Sequence, residues 1–414
     1  MLRVDEARAR ILATLSALPA RPVALPEACG SVLAEGIRAT EALPPFDNAA
    51  VDGYAVRVAC VRGASADTPV PLRITGEAPA GRPVDGLVVR PGCAVRVMTG
   101  APLPAGTEAV VMREDTHEAP EAVRVCAPAA PGEHIRRAGE DVAPGAAVLG
   151  AGATLKPSAI ALLGALGVTR VVAHRRPSVA LLATGDELVW PDEPLRPGQI
   201  RASSALALEA LVRAAGGEPR QLGIVPDDRA ALEAALARAS QADLILTTGG
   251  VSVGDHDLVR QVLEREGAIA FWRIDMQPGK PLAFGHWAGT PLLGLPGNPV
   301  SSLVCFELFA RPAIRRLAGH TAVVRPSLQA RLAANHEKRA PRRQYLRAAV
   351  ALTDQGLTAT LATRQGSHQL TGLVQGNALV VLPEGPGHWA AGDAVEVLLL
   401  EELEAYGHRD PDAQ

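Results

Sequence analysis

Aromatic residues are scarce in this 414-residue chain, at 3%. Alanine, glycine, proline and arginine are abundant instead, a bias of the kind a GC-rich genome produces. Charge of one sign is not in excess either. The formal net charge of -3 gives no reason to expect nucleic acid as a partner. The five cysteines, Cys29, Cys60, Cys93, Cys126 and Cys305, lie far apart, and none forms a C-x-x-C pair. Zinc-finger and dithiol redox chemistry are thereby set aside. An odd, scattered count suits a reducing compartment, so a cytoplasmic location is expected. Long apolar runs are missing. The longest, near residues 160–168, is too short to cross a bilayer, and no membrane association is expected. The first residues, MLRVDEARARILATL, read as a charged amphipathic helix with no apolar core of the signal-peptide kind. No G-x-S-x-G and no Ser-His-Asp order is present, which removes the usual hydrolase triads. No internal repeat is found.

The chain does have enough apolar residues, 48%, for ordinary cores, and a length that suits two to four domains. Its most informative stretch is residues 242–266, ADLILTTGGVSVGDHDLVRQVLERE. A short apolar run, 243–248, reads as a buried strand. It breaks into Thr248-Gly249-Gly250-Val251-Ser252-Val253-Gly254, and after Asp255-His256-Asp257 a helical pattern follows with Leu258, Val262 and Leu263 on one stripe. Strand, glycine loop, helix is an order that aims backbone amides and a helix N-terminus at one point, which suits an anion such as a phosphate. The dinucleotide fingerprint does not fit, because Gly249 and Gly250 are adjacent, and a P-loop does not fit, because Asp255 follows Gly254 where lysine is needed. An acid facing a phosphate calls for a cation between them, so the loop suggests Mg²⁺ held by Asp255 or Asp257. The competing reading is a tight turn whose aspartates only cap the helix.

From residue 177 strand, loop and helix alternate. Strands are expected at 178–183, 221–225, 243–248, 269–274 and 291–295, with helices at 203–214, 228–239 and 300–317 and with Asp227 or Asp228 as an N-cap. Such alternation predicts a doubly wound α/β unit with a mainly parallel sheet, whose ligands lie beyond the carboxyl ends of the strands. The glycine loop, Thr184-Gly185-Asp186-Glu187, Asp227 and Pro296-Gly297-Asn298-Pro299 all fall at strand ends, so they are expected to converge on one crevice. Carboxylates gathered there would repel one another, which again favours a divalent cation. Pro278-Gly279-Lys280-Pro281 is a rigid turn that projects one lysine, suited to an oxyanion or a phosphoryl group, or else a plain surface turn. On either side of the α/β unit, residues 43–137 and those from about 325 onward read as short strands with Gly/Pro turns. At the end of the first of these, His134-Ile135-Arg136-Arg137-Ala138-Gly139-Glu140-Asp141 is a mixed-charge loop.

Read together and in order, Asp52-Gly53-Tyr54-Ala55, Met98-Thr99-Gly100-Ala101-Pro102, Gly139-Glu140-Asp141, Thr184-Gly185-Asp186-Glu187-Leu188, Gly249-Gly250-Val251-Ser252-Val253-Gly254-Asp255, Pro278-Gly279-Lys280-Pro281 and Gly294-Leu295-Pro296-Gly297-Asn298-Pro299 resemble the molybdopterin molybdenumtransferase family, called MoeA in bacteria and the gephyrin E domain in animals. The resemblance covers roughly residues 5–400. It implies an elongated homodimer of multidomain subunits, α/β plus β: an N-terminal linker and dimerisation domain (1–42 and 138–176), an inserted β module (43–137), a molybdopterin-binding-like α/β domain (177–322) and a C-terminal β domain (323–405). It implies that adenylyl-molybdopterin and molybdate react, with Mg²⁺, to give molybdenum cofactor, AMP and water.

Position by position, the resemblance places Ser252 and Asp257 in the pterin-phosphate and Mg²⁺ region, with Glu187 and Asp227 beside them and Asp255 as a further ligand. Gly249, Gly250, Gly254, Pro296, Pro299 and Ser301 would line the crevice, and Lys280, Arg342 and Ser367 would form the molybdate pocket. Asp52, Thr99 and Asp141 would reach the site from the other subunit. Molybdopterin adenylyltransferase and apo-molybdoenzymes are the further partners it allows. The chain departs from the family in three places: Gln277 stands where the family often has lysine, Val51 replaces a common methionine, and Arg342 and Arg343 are adjacent, so the sequence leaves open which faces the oxyanion. Two other readings are an adenylyltransferase, against which the extra β modules argue, and a dimeric scaffold that keeps the fold without activity.

Overall fold

From residue 178 to 295 the apolar runs pair into a six-stranded sheet in the order Glu218–Val225, Ser178–Thr184, Leu244–Thr248, Thr290–Leu295, Ala283–Trp287, Ile269–Trp272. The first four strands are parallel, and the last two join through antiparallel pairings. These relations come from a computed structural model, which describes residues 1–250, 258–265, 269–354, 356–401 and 403. The central strands Ser178–Thr184 and Leu244–Thr248 are buried along almost their whole length. That is why they read as unbroken apolar runs and not as alternating ones. Val179, Leu181 and Leu246 pack on one face with Leu208, Phe306 and Ile314. Ala180, Leu182 and Ile245 pack on the other with Leu232, Leu236 and Val262.

Local chemistry sets the helices on those faces. Arg229–Ala239 begins where the Asp228 carboxylate accepts the Ala231 N–H at 2.8 Å, an N-cap as expected from the sequence. The run from Pro299 to Leu317 is helical throughout but widens to a π turn at Phe306–Ala310, just before Arg311–Leu317. Pro312 lies in the first turn after it and has no N–H to donate, so the wider turn accommodates the ring without ending the helix.

The helix Val4–Ala13 shares the core of this α/β unit, burying Val4, Ala7 and Ile11 with Phe306 and Ile314. The chain then leaves it. Ala20–Ala24 pairs antiparallel with Arg170–His174, and Ile37–Arg38 with Ala147–Leu149, around a separate small core of Leu33, Leu155 and Leu163. Between these segments lies a second six-stranded sheet that includes Gly53–Val56, Cys93–Val97 and Ala109–Met112, with an apolar cluster on each face. Gly53 is obligatory in it, because a Cβ there would stand 2.0 Å from the Val111 carbonyl oxygen.

Near the C-terminus, Arg343–Thr353, Gly356–Leu361, Ser327–Leu332, Ala394–Leu399 and Ala378–Leu382 are bonded in that order, and the last pairs back onto the first. The ring is a small closed barrel, filled by Leu346, Ala348, Val350, Val380 and Val397. One strand from outside joins it. Met276–Gln277, in the loop leading to Lys280, pairs in parallel with Arg343 and Gln344. This pairing holds the loop of the α/β unit against the barrel. Among the described residues no helix is long and apolar enough to cross a membrane.

Candidate functional site

At the carboxyl ends of the parallel strands lies a cavity of about 700 Å³. Glu187, Asp227, Gly249, Gly250, Pro296 and Pro299 all line it, together with Arg201, Ser203 and His368. The loops expected to converge do so, because their strands are neighbours in the sheet. Gly185 N–H donates to Val225 O at 3.2 Å and Gly249 N–H to Leu295 O at 3.2 Å, which lock adjacent loops together. Two glycines are required by this packing. Gly249 has φ +91°, and a Cβ on it would lie 2.5 Å from Thr184 O; Gly250 has φ +63°. The Asp227 loop is set by a neighbour: the Asp186 carboxylate accepts the Asp227 N–H at 3.0 Å. Glu187 and Asp227 are both exposed, so their carboxylates are free to meet a ligand.

Ser252, Gly254, Asp255 and Asp257 lie outside the described residues, so half of the expected metal set is not seen. Among the described residues no group of three or more His, Cys, Asp or Glu side chains stands ready to hold a metal. Glu187 and Asp227 remain as oxygen donors on the cavity wall. A pair of carboxylates at a solvent-filled opening suits Mg²⁺, which keeps several waters and takes one or two protein ligands.

A second cavity, of about 400 Å³, lies where the α/β unit meets the barrel. Lys280, Arg342 and Ser367 line it as expected, with Gln277, Gln344 and Arg347; Ser301 lines this cavity and not the larger one beside the glycine loop. Pro281 belongs to the walls of both cavities. The rigid Pro278-Gly279-Lys280-Pro281 turn sits tightly on the π-turned helix: Gly279 has φ +101°, and a Cβ there would lie 2.5 Å from Cys305 Sγ. Burial pushes the Cys305 thiol up, and it is inert packing behind the turn. The barrel side is tied down by Val300 N–H donating to Ser367 O at 3.1 Å.

The two adjacent arginines are distinguished by their partners. Arg343 binds Asp5 at 2.9 Å and lies 3.3 Å from Glu384, and it does not line this cavity. Arg342 lines it, with its Nε 3.5 Å from an Asp275 carboxylate oxygen. The cation that sequence reasoning missed is Arg347. It is 1% exposed, and Nη2 donates to the carbonyls of Arg364 at 2.8 Å and Gly366 at 3.1 Å. Its Nε has no hydrogen-bond partner, and no carboxylate pairs with it among the described residues. Burial pulls its pKa below the usual arginine value. An uncompensated buried cation on a cavity wall favours an anion in that cavity. The signal was in the sequence: in Tyr345-Leu346-Arg347-Ala348-Ala349-Val350 one charge interrupts a buried run. Arg273, the other arginine near Gln277, does not line the cavity.

The N-terminal residues stand apart. Asp52 Oδ1 accepts from the Thr99 N–H and hydroxyl, each at 2.7 Å, and these bonds hold its carboxyl below the usual range. Asp141 is exposed, its N–H bonded to Leu43 O at 3.1 Å. None of Asp52, Thr99 and Asp141 lines either cavity of this chain.

Comparison with known proteins bears on the whole chain. Residues 2–167 match the family model of the MoeA N-terminal region (domain I and II), 180–316 a probable molybdopterin binding domain, and 329–400 the MoeA C-terminal region (domain IV). Molybdopterin molybdenumtransferase 2 of Mycobacterium tuberculosis is 40% identical over 386 residues, covering 91% of this chain and 95% of its own length. The molybdopterin molybdenumtransferase of Haemophilus influenzae is 38% identical over 403 residues, covering 96% and 98%. The crystal structure of a MoeA protein from Pyrococcus horikoshii OT3 superposes with a TM-score of 0.82 at 31% identity, covering 96% of this chain and 100% of that one.

Proposed function

The chain belongs to the molybdopterin molybdenumtransferase family, and from that premise we propose that it inserts molybdate into adenylyl-molybdopterin, releasing AMP and water and leaving molybdenum cofactor. The observation that carries this reading is the pair of cavities on either side of Pro281. The larger offers glycine-loop amides and carboxylates, which suit a phosphoanhydride with its cation. The smaller offers Lys280, Arg347 and the hydroxyls of Ser301 and Ser367, which suit a tetrahedral dianion.

In this reading the backbone at Gly249 and Gly250 and the helix starting at Pro299 orient the phosphates at the strand ends. Glu187 and Asp227 would hold Mg²⁺, which would supply charge neutralisation at the anhydride when bound. Lys280 and Arg347 hold molybdate against Pro281, within reach of a dithiolene extending from the larger cavity. Cleavage of the anhydride releases AMP and drives molybdenum into the dithiolene. Asp52, Thr99 and Asp141, which line neither cavity on their own chain, act on the site of a second copy in a homodimer. The test is direct. Purified protein given adenylyl-molybdopterin, Mg²⁺ and molybdate should release AMP, and omission of either Mg²⁺ or molybdate should stop it. Full AMP release without molybdate would overturn the reading.

A further inference from the structure

The smaller cavity has two walls that belong to different units. One is the loop 273–280, which carries Gln277 and Lys280; the other is the strand Arg343–Thr353, which carries Arg347. Both are held from behind by one short segment, residues 2–8. Asp275 N–H donates to Leu2 O at 2.8 Å, and Leu2 forms a parallel bridge with Ile274, so the first wall is pinned by backbone. Three residues on, Asp5 Oδ2 accepts from Arg343 Nη1 at 2.9 Å, so the second wall is pinned by charge. The other Asp5 oxygen takes Arg8, and Arg343 also faces Glu384, which makes a chain of four alternating charges. Between Leu2 and Asp5 sits Val4, fully buried in the core of the α/β unit. The segment is therefore anchored in one unit and grips the other.

We propose that Asp5 is a positioning residue for the oxyanion cavity: through Arg343 it reinforces the pairing of that strand with Met276–Gln277 and so steadies Arg347 relative to Lys280. The inference rests on the functional reading above, and names the part that tunes its anion site. Asp5 touches neither cavity wall facing the ligand, so it acts only through Arg343. Exposed ion pairs add little to global stability, and the Asp5 side chain is 59% exposed. Its effect is expected in geometry, where a displacement of about an ångström is costly to binding.

The experiment compares Asp5→Asn, Asp5→Ala and Asp5→Glu with the parent full-length chain. Molybdate binding is read by calorimetry, KM for molybdate and for adenylyl-molybdopterin by AMP release, and protection of the amides at residues 276–277 and 343–347 by hydrogen exchange. The expected result is a molybdate Kd and KM raised about tenfold in Asp5→Asn and Asp5→Ala, with the other KM and the Tm nearly unchanged. Asp5→Glu should recover most of the affinity, and the strand 343–347 should exchange faster in the first two variants only. Unchanged molybdate affinity and unchanged exchange in Asp5→Asn would overturn the proposal, and so would a parallel loss of both substrates that follows a lowered Tm. Failure of the parent chain to bind molybdate would strike the functional reading instead, and the exchange data would still decide whether Asp5 holds the strand.

Discussion

The carboxylate of Asp186 accepts the backbone N–H of Asp227, 41 positions further along the chain, at 3.0 Å. Asp186 itself does not line the cavity, whereas Asp227 does. One acid thus aims the other. Asp186→Ala should lower the rate of AMP release about tenfold and raise the Mg²⁺ concentration needed for half-maximal rate. Asp186→Asn keeps an oxygen acceptor and should behave close to the parent. A Mg²⁺ titration of both variants checks this, and equal behaviour of Ala and Asn would dismiss the hydrogen bond as the cause.

Arg347 spends one nitrogen on two carbonyls and leaves its Nε unpaired. A lysine ammonium could take the two carbonyls but has no second nitrogen to present where Nε stands. Arg347→Lys is therefore expected to bind molybdate at least about tenfold more weakly despite keeping its charge. Binding of adenylyl-molybdopterin should change little. Calorimetry with each ligand separates the two effects.

Gly249 combines φ +91° with a 2.5 Å approach of any Cβ to Thr184 O. Gly249→Ala should cost about 2–4 kcal/mol and abolish AMP release, because the loop must shift to relieve both strains. Gly198 also has positive φ, at +84°, but has no atom within 4 Å of an added Cβ. Gly198→Ala should keep activity, which makes it the control in the same thermal and kinetic assays.

His320 joins the N-terminal region to the α/β unit. Its Nδ1 accepts from Arg315 Nη2 at 3.1 Å and lies 3.1 Å from Thr154 Oγ1. An arginine only donates, so the bonded imidazole nitrogen is an acceptor and the ring is neutral. Burial first, and then the Arg315 and Arg311 charges, lower its pKa to about 4. Between that value and the ordinary value of about 6.5 the unfolded chain binds the proton that the folded one refuses. Stability should therefore fall as pH drops through this window, by about 1–3 kcal/mol, and level off below it. In His320→Gln that part of the slope should vanish, measured as the difference between Tm at pH 7.5 and at pH 5.

Mixing two inactive variants tests the origin of Asp52. If Asp52 serves the other subunit, chains carrying Asp52→Ala and chains carrying Lys280→Ala, refolded together in equal amounts, contain heterodimers with one intact site. About a quarter of parental activity should return. No recovery would mean that Asp52 acts on its own chain or not at all.

The sheet and its crevice were legible because they depend on local pattern and a general rule. Apolar runs such as 244–248 mark buried strands, and parallel strands deliver their C-terminal loops to one edge, so Glu187, Asp227 and Gly249 could be brought together on paper. Pairings distant in sequence were not legible. Nothing local to Val4, Ala7 and Ile11 says that they pack beside Ile314, and the strands of the C-terminal barrel do not announce that Arg343–Thr353 closes onto Ala378–Leu382. The choice between Arg342 and Arg343 stayed open in the sequence for a related reason. Adjacency drew attention to Arg342 and Arg343, yet both have acids nearby that come from elsewhere, Asp275 and Asp5. Only the contacts show that Arg347 lacks one.

Pro281 is a party wall, with a chamber on each side. Visitors to one need not cross the other. Kinetically, that layout leaves the order of arrival free: whichever reactant comes first still leaves its counterpart an open door, and excess of one should not block entry of the second.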